Sequence, residues 1–473
     1  MNYSIAKVVA LFTLLLCSVA CSEDYLNVND NPNFATRPPL DGLLANASTQ
    51  TGLNQFRVAD GHVTNFVQYI ASPNISSDTD IYLDVASGGA WSSLYGTMTD
   101  LYDLIRFGRE QEAEGHVGIA QVLMAINLGL VVDNWGDAPY SDAFTGTTIR
   151  PTYDSAEELY ATIFTLLDEG EANLLAFDGT PGIRVGADFI YGTTNGDEVE
   201  PWLRAIASLR ARYLNHLSET DAYDPVAVLA AVDTGFTSNT DNASLTIFEV
   251  RNPWAGVAIA NAALFLGGWL SDQFVDALNG DTYGTFDPRL PLITDTTSFG
   301  DYRGTVNGAG RTGTGTDATE TYLSASLGPA DVNAPVIIMS YAELKFIEAE
   351  AAFRTSDQDR ADAAFRSGIR ASMDEYGVSA ADRDAFITAA YGAEDDDVDL
   401  DDIFREKYTA LFLNPETWVD ARRYDYQYQD FDLAENAALS TFPVRLQYPN
   451  SELDRNRINA PTVTLLDPIF WDE

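Results

Sequence analysis

Five aromatic residues lie in segments without apolar periodicity and beside hydrogen-bonding residues, a combination that suits sugar binding. Sugars present flat apolar faces edged by hydroxyl groups, so their sites usually combine an aromatic ring with Asp, Asn or Arg side chains. The predicted ligand-binding residues are Trp254 with Asn252, Tyr302 with Arg303, Tyr82 with Asp80, and Tyr322 and Tyr283. Trp254 is the first choice among these rings. Each ring could instead pack within its own loop.

Motifs for catalysis or cofactor binding are absent from the sequence. His62, His116 and His216 are on separate predicted helices and share no spacing suited to a metal site or a catalytic triad. The G-x-S-x-G, H-E-x-x-H and Walker A patterns do not occur. No catalytic residue, metal ligand or cofactor is therefore predicted. With 71 acidic residues, a carboxylate pair for glycoside hydrolysis stays open as an alternative, although nothing singles out a pair.

Two further motifs favour structural interpretations. The segment 308–313 matches G-x-G-x-x-G, but no apolar strand precedes it and no apolar helix follows, so we interpret it as a loop. The acidic run 394–402 lacks the ligand spacing and central glycine of a calcium-binding EF-hand loop. We therefore interpret the acidic run as a solvated turn that places negative charge at the start of the next helix, and not as a calcium site.

The charge balance excludes one class of partner. The chain has 71 acidic and 27 basic residues, a net charge of −44, and its only lysines are Lys7, Lys345 and Lys407. Nucleic-acid binding is disfavoured because phosphates require a basic surface. Such an acidic, lysine-poor surface indicates a saline habitat, where salt screens the repulsion between carboxylates. An ordinary acidic secreted protein is the alternative.

The N-terminal segment resembles a bacterial lipoprotein signal. Residues 1–20 are predicted to form a signal peptide, with Lys7 before an apolar stretch that is too short to span a membrane. Cys21 resembles the lipidated cysteine of such proteins. Residues 21–39, rich in Asn and Pro, are then predicted to tether the lipid to the body, 40–473. Cleavage and secretion without lipid is the alternative.

Helical periodicity dominates the body. Ser340 and Glu343 form a predicted capping box, and Asn414 with Pro415 predicts a new helix start before Trp418. Phe346 and Leu411 are expected in the core, and Arg422 is expected to stack on Trp418. The predicted helices cover 40–56, 60–71, 90–112, 116–134, 155–176, 201–219, 340–354, 359–376, 380–391 and 402–424.

The middle third differs in amino-acid composition. Residues 233–336 are rich in Gly, Thr, Asn and Asp, and mostly predict loops. A short strand at 244–250 and a helix at 267–278 are the exceptions. The tail from Phe442 onward is predicted to be extended. Long irregular segments on a rigid frame often carry recognition, so this insert is the expected binding region.

Four segments resemble the SusD/RagB family of outer-membrane nutrient-binding lipoproteins, in its SusD-like subgroup. They are IIMSYAELKFIEAEAAFR (337–354), IFREKYTALFLNPETWVDARR (403–423), FPVRLQYPNSELDRNRIN (442–459), and DNWGDAPYSDAF (133–144) followed by PTYDSAEELYATIFTLLDEGEANL (151–174). The resemblance implies a mainly α fold, in which a tetratricopeptide-like helical-repeat scaffold carries a long irregular middle third.

The resemblance also implies a function. It predicts a surface-exposed lipoprotein, anchored in the outer membrane and facing outside, that is not an enzyme. Its ligand would be an oligosaccharide, or a peptide as the second choice, delivered to a SusC-like TonB-dependent transporter. An all-helical glycoside hydrolase and a purely structural helical-repeat adaptor are the competing readings.

Overall fold

Most of the chain folds into α-helices, which confirms the mainly α prediction. The computed structural model describes residues 38–83, 88–192, 199–392 and 398–472. The predicted signal peptide, Cys21 and the tether up to residue 37 lie outside these ranges, as do residues 394–397 of the acidic run.

Fourteen α-helices of six or more residues occur within the described ranges. In chain order they are α1 (Leu40–Val58), α2 (Gly88–Glu110), α3 (Glu114–Trp135), α4 (Ala156–Ala176), α5 (Glu200–Asn215), α6 (Pro225–Val232), α7 (Pro253–Ala262), α8 (Asp272–Asn279), α9 (Tyr341–Arg354), α10 (Gln358–Tyr376), α11 (Ala380–Tyr391), α12 (Leu400–Ala410), α13 (Glu416–Arg423) and α14 (Asn450–Arg455). Sequential helices pack as neighbours: α3 lies against both α2 and α4, and α9 lies against α10. Such stacking of consecutive helices is the packing of a helical-repeat scaffold.

Four short strands form two antiparallel pairs. They are β1 (Ile70–Ala71), β2 (Ala243–Leu245), β3 (Trp269–Leu270) and β4 (Val336–Met339). β1 pairs with β3, with Ile70 opposite Leu270, and β2 pairs with β4, with Leu245 opposite Val336. The β1–β3 pair therefore fastens the middle third to a segment distant in the chain, and the β2–β4 pair brings the two ends of the middle third together.

Helix α3 is buried along nearly its whole length. Among the described residues it is the one helix long and apolar enough to cross a membrane, but 94% of its most apolar window is buried in the protein. Neighbouring helices cover it on all sides, so it is the central core helix of the scaffold.

Several predicted boundaries are wrong. The helix predicted at 60–71 is a π-helical turn, Ala59–Val63, and a short helical turn, Thr64–Phe66, before β1. The helix predicted at 402–424 is two helices, α12 and α13, since the chain turns through 411–415. Asn414 nevertheless acts as predicted: its Oδ1 accepts a hydrogen bond from the Glu416 amide at 2.9 Å.

The middle third and the tail contain more regular structure than expected. The predicted strand 244–250 is shorter, as β2, and the predicted helix 267–278 begins instead with β3. Helices α6 and α7 were not predicted. Both begin with an N-cap and a proline in the first turn, Asp224–Pro225 and Asn252–Pro253, a signal that their small, Ala-rich sequences obscure. The tail includes α14, although it was expected to be extended throughout.

Buried ion pairs in the scaffold involve the C-terminal helices. Arg212 of α5 donates to both carboxylate oxygens of Glu343, at 2.6 Å each, and its Nε lies 3.6 Å from Glu416. Arg423 pairs in the same way with Glu350, at 2.8 and 2.9 Å. Such charges are tolerated in a core only when paired. Glu343 therefore does not complete the predicted capping box, although the Ser340 Oγ does accept from its amide.

The predicted core residues are buried. Phe346 is fully buried and Leu411 is 2% exposed. The Arg422 guanidinium stacks on Trp418 as predicted, 4.1 Å from the ring centroid, and also lies 4.6 Å from the Trp471 ring. Trp471 is fully buried, so the end of the tail completes this part of the core.

Candidate ligand-binding groove

Trp254, the first-choice ligand residue, is in the core. It lies in the first turn of α7, is 4% exposed, and makes an edge-to-face contact with Phe56 of α1 at 4.8 Å. Asn252 is the cap of this helix: its Oδ1 accepts from the Trp254 amide, and its Nδ2 donates to the carbonyls of Pro329 and Ala334. The expectation that both side chains are exposed is therefore wrong, because they fasten α7 to the scaffold.

Tyr82 and Asp80 are also buried, contrary to expectation. Tyr82 is 1% exposed and packs against Phe66. Burial raises the pKa of Tyr82 to about 12. Asp80 is fully buried and accepts four hydrogen bonds, from the Asn65 and Asn307 amide groups and from the Ser72 and Gly308 backbone amides.

The Asp80 contacts join two surface loops. They link residues 72–80 to the loop around 307–308, and burial raises the pKa of the Asp80 carboxyl although the hydrogen bonds oppose this shift. Gly308, in the G-x-G-x-x-G segment, has a φ of +83°, and an added Cβ would collide with the Glu435 carbonyl. The glycine thus serves a close loop contact and not a dinucleotide.

Tyr283 and Tyr322 are half-buried. The Arg405 guanidinium of α12 covers the Tyr283 ring at 3.8 Å, and burial raises the pKa of Tyr283. The Tyr322 ring lies 4.9 Å from the buried Trp269 of β3. Each ring therefore has a protein neighbour on at least part of its surface, and only Tyr322 belongs to the loop cluster described next.

Tyr302 and Arg303 lie in a cluster of loops that surrounds a groove of about 400 Å³. Tyr302 is half-buried beside Phe286, with ring centroids 6.1 Å apart, and does not line the groove. The Arg303 carbonyl accepts from the Thr321 amide at 2.7 Å, so the segments that carry Arg303 and Tyr322 lie side by side. The groove is lined by Phe299, Arg303, Gly304, Val306, Ala309, Gly310, Thr312, Thr319 and Glu320.

Phe299 is the aromatic ring of this groove. It is 64% exposed, at the tip of a turn in which Thr297 hydrogen-bonds to the Phe299 amide and to Asp301. Arg303 covers one face of the ring, with its guanidinium carbon 4.8 Å from the centroid. An exposed ring on a braced turn, beside a charged hydrogen-bond donor, is the combination that suits a sugar face.

Asp301 and Arg303 supply charge at the groove edge. Arg303 donates to the Asp301 carboxylate from Nε and Nη2, at 2.8 and 2.6 Å. Hydrogen bonding from Thr297, and then from Arg303, lowers the pKa of the Asp301 carboxyl, which stays ionised near neutral pH. The remaining N–H groups of Arg303 have no partner within the described residues, and the side chain is 54% exposed.

A buried ion pair holds the groove wall. Arg311 donates to Glu320 at 3.0 Å, and its guanidinium lies 3.4 Å above the Trp269 ring. Glu320 also accepts from the amide and hydroxyl of Thr312. These contacts fix the loop 311–320 on the fully buried Trp269, so the wall is held before any ligand binds.

The structure therefore brings few of the predicted ligand-binding residues to this groove. Of the eight predicted residues, Arg303 alone lines the groove. Phe299 carries the same sequence signal as the predicted rings, because Asp301 and Arg303 follow it at two and four residues. Within the described ranges, no group of three or more His, Cys, Asp or Glu side chains is arranged to hold a metal ion.

Comparisons with known proteins give a consistent result. A family model named SusD-like, described as starch-binding and associating with the outer membrane, matches residues 32–449. No curated protein matches the sequence.

Solved structures share the fold. One described as a chitin-binding protein is 21% identical with a TM-score of 0.76, covering 92% of this chain and 100% of its own. A SusD/RagB family protein from Bacteroides thetaiotaomicron is 23% identical with a TM-score of 0.71, covering 92% and 99%. A chitin-binding SusD homolog from Flavobacterium johnsoniae is 20% identical with a TM-score of 0.75, covering 91% and 98%.

Proposed function

This chain belongs to the SusD-like family, whose model is described as starch-binding and associating with the outer membrane, and from that membership we propose that it binds an oligosaccharide in the Phe299 groove. The observation that carries the proposal is the Phe299 ring, 64% exposed at the edge of a groove of about 400 Å³. Two solved neighbours described as chitin-binding support an oligosaccharide as the ligand class.

The groove offers complementary contacts for one sugar ring. A pyranose face stacks on the ring face of Phe299 that Arg303 leaves open, which removes apolar surface from water. Free N–H groups of Arg303 and the hydroxyl groups of Thr312 and Thr319 then hydrogen-bond to the sugar hydroxyls. A single groove of this size holds part of a chain, so the rest of the oligosaccharide extends across the loop surface.

The experiment that tests this function is affinity electrophoresis of the full chain in gels containing glycol chitin or soluble starch. Loss of retardation in Phe299→Ala would support binding in the groove. Ile149→Ala is the control and should keep its retardation, because Ile149 is 93% exposed but lies outside the groove. Equal retardation of all three proteins would place the binding elsewhere. Release of reducing ends from either polymer would favour the glycoside hydrolase, and retardation by neither polymer would favour a peptide ligand or an adaptor.

We further propose that the chain is a lipoprotein facing outside. Residues 1–20 are removed as a signal peptide, Cys21 carries the lipid, and residues 21–39 tether the body to the outer membrane. The family description and the lipoprotein-like N-terminus support this arrangement. Multiple acyl chains on one cysteine would provide the stable anchoring that a single chain does not.

A SusC-like TonB-dependent transporter is the proposed partner that receives the oligosaccharide. Large apolar side chains are exposed before, on and after α7, namely Ile247, Val250, Ile259, Leu264 and Phe265, which is 80% exposed. Between residues 250 and 271 the only charged residue is Arg251, an unusual interval in a chain of net charge −44. An apolar surface in such an acidic protein is a candidate contact surface for a partner.

Co-purification from detergent-solubilised membranes tests the partner. The tagged full chain is expected to bring a large β-barrel with it, and Phe265→Glu is expected to reduce the yield of barrel. Ile149→Glu is the matched control, since it introduces the same charge at another exposed apolar residue. A monodisperse, partner-free lipoprotein from the native host would contradict this part of the proposal.

A further inference from the structure

A second cavity lies away from the Phe299 groove and shares no lining residue with it. It measures about 690 Å³, is open to solvent on one side, and lies between the C-terminal end of α10, the β2–β4 pair and the end of α12. Its volume falls within the roughly 300–1,000 Å³ of small-ligand pockets. The cavity walls belong to the scaffold and to segments hydrogen-bonded to it, so the space is preformed.

The cavity wall combines aromatic rings with unused polar groups. Tyr376 and Tyr191 are half-buried and both line it. Within the described residues, the Tyr376 hydroxyl and the Ser244 Oγ have no hydrogen-bond partner, whereas the Tyr191 hydroxyl donates to the Asp241 carbonyl at 2.9 Å. Rings beside free hydroxyl groups provide contacts for a small ligand with both apolar and polar surface.

One carboxylate in this wall is not neutralised. Asp374 is paired with Arg383, whereas Glu375 accepts a hydrogen bond from the Asn242 Nδ2 and has no ion partner in the described part of the chain. No Lys or Arg is among the described residues that line the cavity. An anionic ligand would therefore be repelled, and a cation would find one unpaired carboxylate with tyrosine rings nearby.

We propose that this cavity binds a small hydroxylated amine, of the class of an amino sugar with a free ammonium group. The ammonium group pairs with the Glu375 carboxylate and lies against the Tyr376 and Tyr191 rings, while Ser244 and the Tyr376 hydroxyl hydrogen-bond to the ligand hydroxyls. This site is independent of the Phe299 groove, so it adds a second ligand class to the proposed function.

The protonation of Glu375 gives the site a distinctive pH dependence. Glu375 is exposed at the mouth of the cavity, but the protein packed around it limits the hydration of its carboxylate and raises its pKa to about 7, while the Asn242 hydrogen bond opposes that shift. The other titratable groups facing the cavity are Asp374, which Arg383 neutralises, and the phenols of Tyr376 and Tyr191, whose pKa values burial raises. Glu375 is therefore the group that changes charge near neutral pH, and an ammonium ligand binds its ionised form.

Titration calorimetry of the full chain with a glucosamine trimer tests the proposal, with the N-acetylglucosamine trimer as the uncharged comparison. At pH 7 the free-amine trimer is expected to bind, with at least tenfold lower affinity in Glu375→Gln. Between pH 5.5 and 7, where an amine of pKa near 7.7 stays largely protonated, affinity is expected to rise about tenfold in the wild type but not in Glu375→Gln.

Two control variants separate the site from other effects. Glu157→Gln changes the same charge at an exposed position of α4 and is expected to leave the affinity unchanged. Phe299→Ala is also expected to leave it unchanged, whatever it does to neutral oligosaccharides. Equal affinity for both trimers, equal losses in the two glutamine variants, or no pH dependence in the wild type would each overturn the proposal.

Discussion

The Arg303 guanidinium carbon lies 4.8 Å from the centroid of the Phe299 ring, while the same guanidinium holds the Asp301 carboxylate at 2.6 Å. The charge pair fixes Arg303, and Arg303 in turn restricts the exposed ring. Phe299 is thereby held in place although it is 64% exposed. Such preorganisation lowers the entropy cost of binding a sugar.

Phe299→Ala is expected to weaken oligosaccharide binding at least tenfold, about 1.4 kcal/mol, with little change in melting temperature. The ring is exposed, so its loss removes a contact with the ligand and leaves no cavity in the core. Titration calorimetry measures the affinity, with oligosaccharides prepared from the polymer that retards the protein in the affinity gel. Phe299→Tyr, which keeps the ring, should bind nearly as well as the wild type; intact binding by the alanine variant would remove Phe299 from the site.

Trp254→Ala is expected to destabilise the fold by about 3 to 5 kcal/mol, because a buried ring of this size leaves a cavity. Urea unfolding measures the loss, with Trp254→Phe as the variant that keeps most of the volume. At temperatures where the alanine variant remains folded, its oligosaccharide affinity should be close to that of the wild type. A stable variant that fails to bind would restore Trp254 as a ligand residue.

Arg212→Met is expected to cost about 3 to 5 kcal/mol and Glu343→Gln less. Without Arg212, no cation in the described part of the chain lies within hydrogen-bonding distance of the buried Glu343 carboxylate. Without the Glu343 charge, Arg212 retains Glu416, whose carboxylate lies 3.6 Å away. Urea unfolding of the two variants at pH 6 compares the costs, and the reverse order would contradict this account of the buried network.

The buried His216–Glu416 pair is expected to contribute most to stability between about pH 4.5 and 6.5. Burial lowers the pKa of His216, but the charges of Glu416 and Asp133 outweigh it and raise the pKa to about 9. The His216 contribution is therefore complete below its unfolded pKa of 6.5 and is lost as the pH rises through 9. Burial raises the pKa of Glu416, but His216 and Arg212 outweigh it and lower the pKa to about 2, so its contribution is lost as the pH falls from 4.5 toward 2.

Urea unfolding at intervals from pH 2.5 to 9.5 measures this dependence. The alkaline loss attributable to His216 is expected to be about 1 to 3 kcal/mol, and His216→Gln should flatten the profile between pH 6.5 and 9. The Tyr160 hydroxyl lies 2.8 Å from His216 Nδ1, and burial raises the pKa of this phenol well above 10. Tyr160 therefore stays neutral over the pH range in which His216 titrates. An unchanged alkaline limb in His216→Gln would assign that loss to other groups.

Cys21→Ala is expected to release the protein from membranes. The sequence contains one other cysteine, Cys17, so Cys17→Ala is a matched control that should remain anchored. Membrane fractionation in a host that lacks the transporter measures the distribution. Retention of the Cys21→Ala protein under those conditions would contradict lipid anchoring at this residue.

Local signals predicted the scaffold well. Caps and apolar periodicity depend on residues a few positions apart, so Ser340, Asn414 and the helix that carries Trp418 were identified from sequence. Because these signals are local, they also led to one wrong prediction, the capping role of Glu343. Glu343 was expected to return to its own helix start, but Arg212, 131 residues earlier, binds its carboxylate instead.

The candidate site was harder to predict, because exposure in a loop is decided by distant residues. Trp254 looked exposed from its neighbours, but Phe56, almost 200 residues earlier in the chain, covers it. Asp80 looked like a sugar ligand, but Asn307 and Gly308 use its oxygens. Phe299 has no such partner over most of its surface, and nothing in the adjacent sequence distinguishes it from Trp254 in this respect.

Trp471 constrains the order in which parts of the core can fold. Trp471 comes after every helix and strand described, yet it is buried against Arg422, and its ring centroid lies 6.1 Å from that of His216. A nascent chain therefore cannot close this part of its core until Trp471 has left the ribosome. Until then the surface of α13 that Trp471 covers stays open to water, so this part of the core is among the last to close.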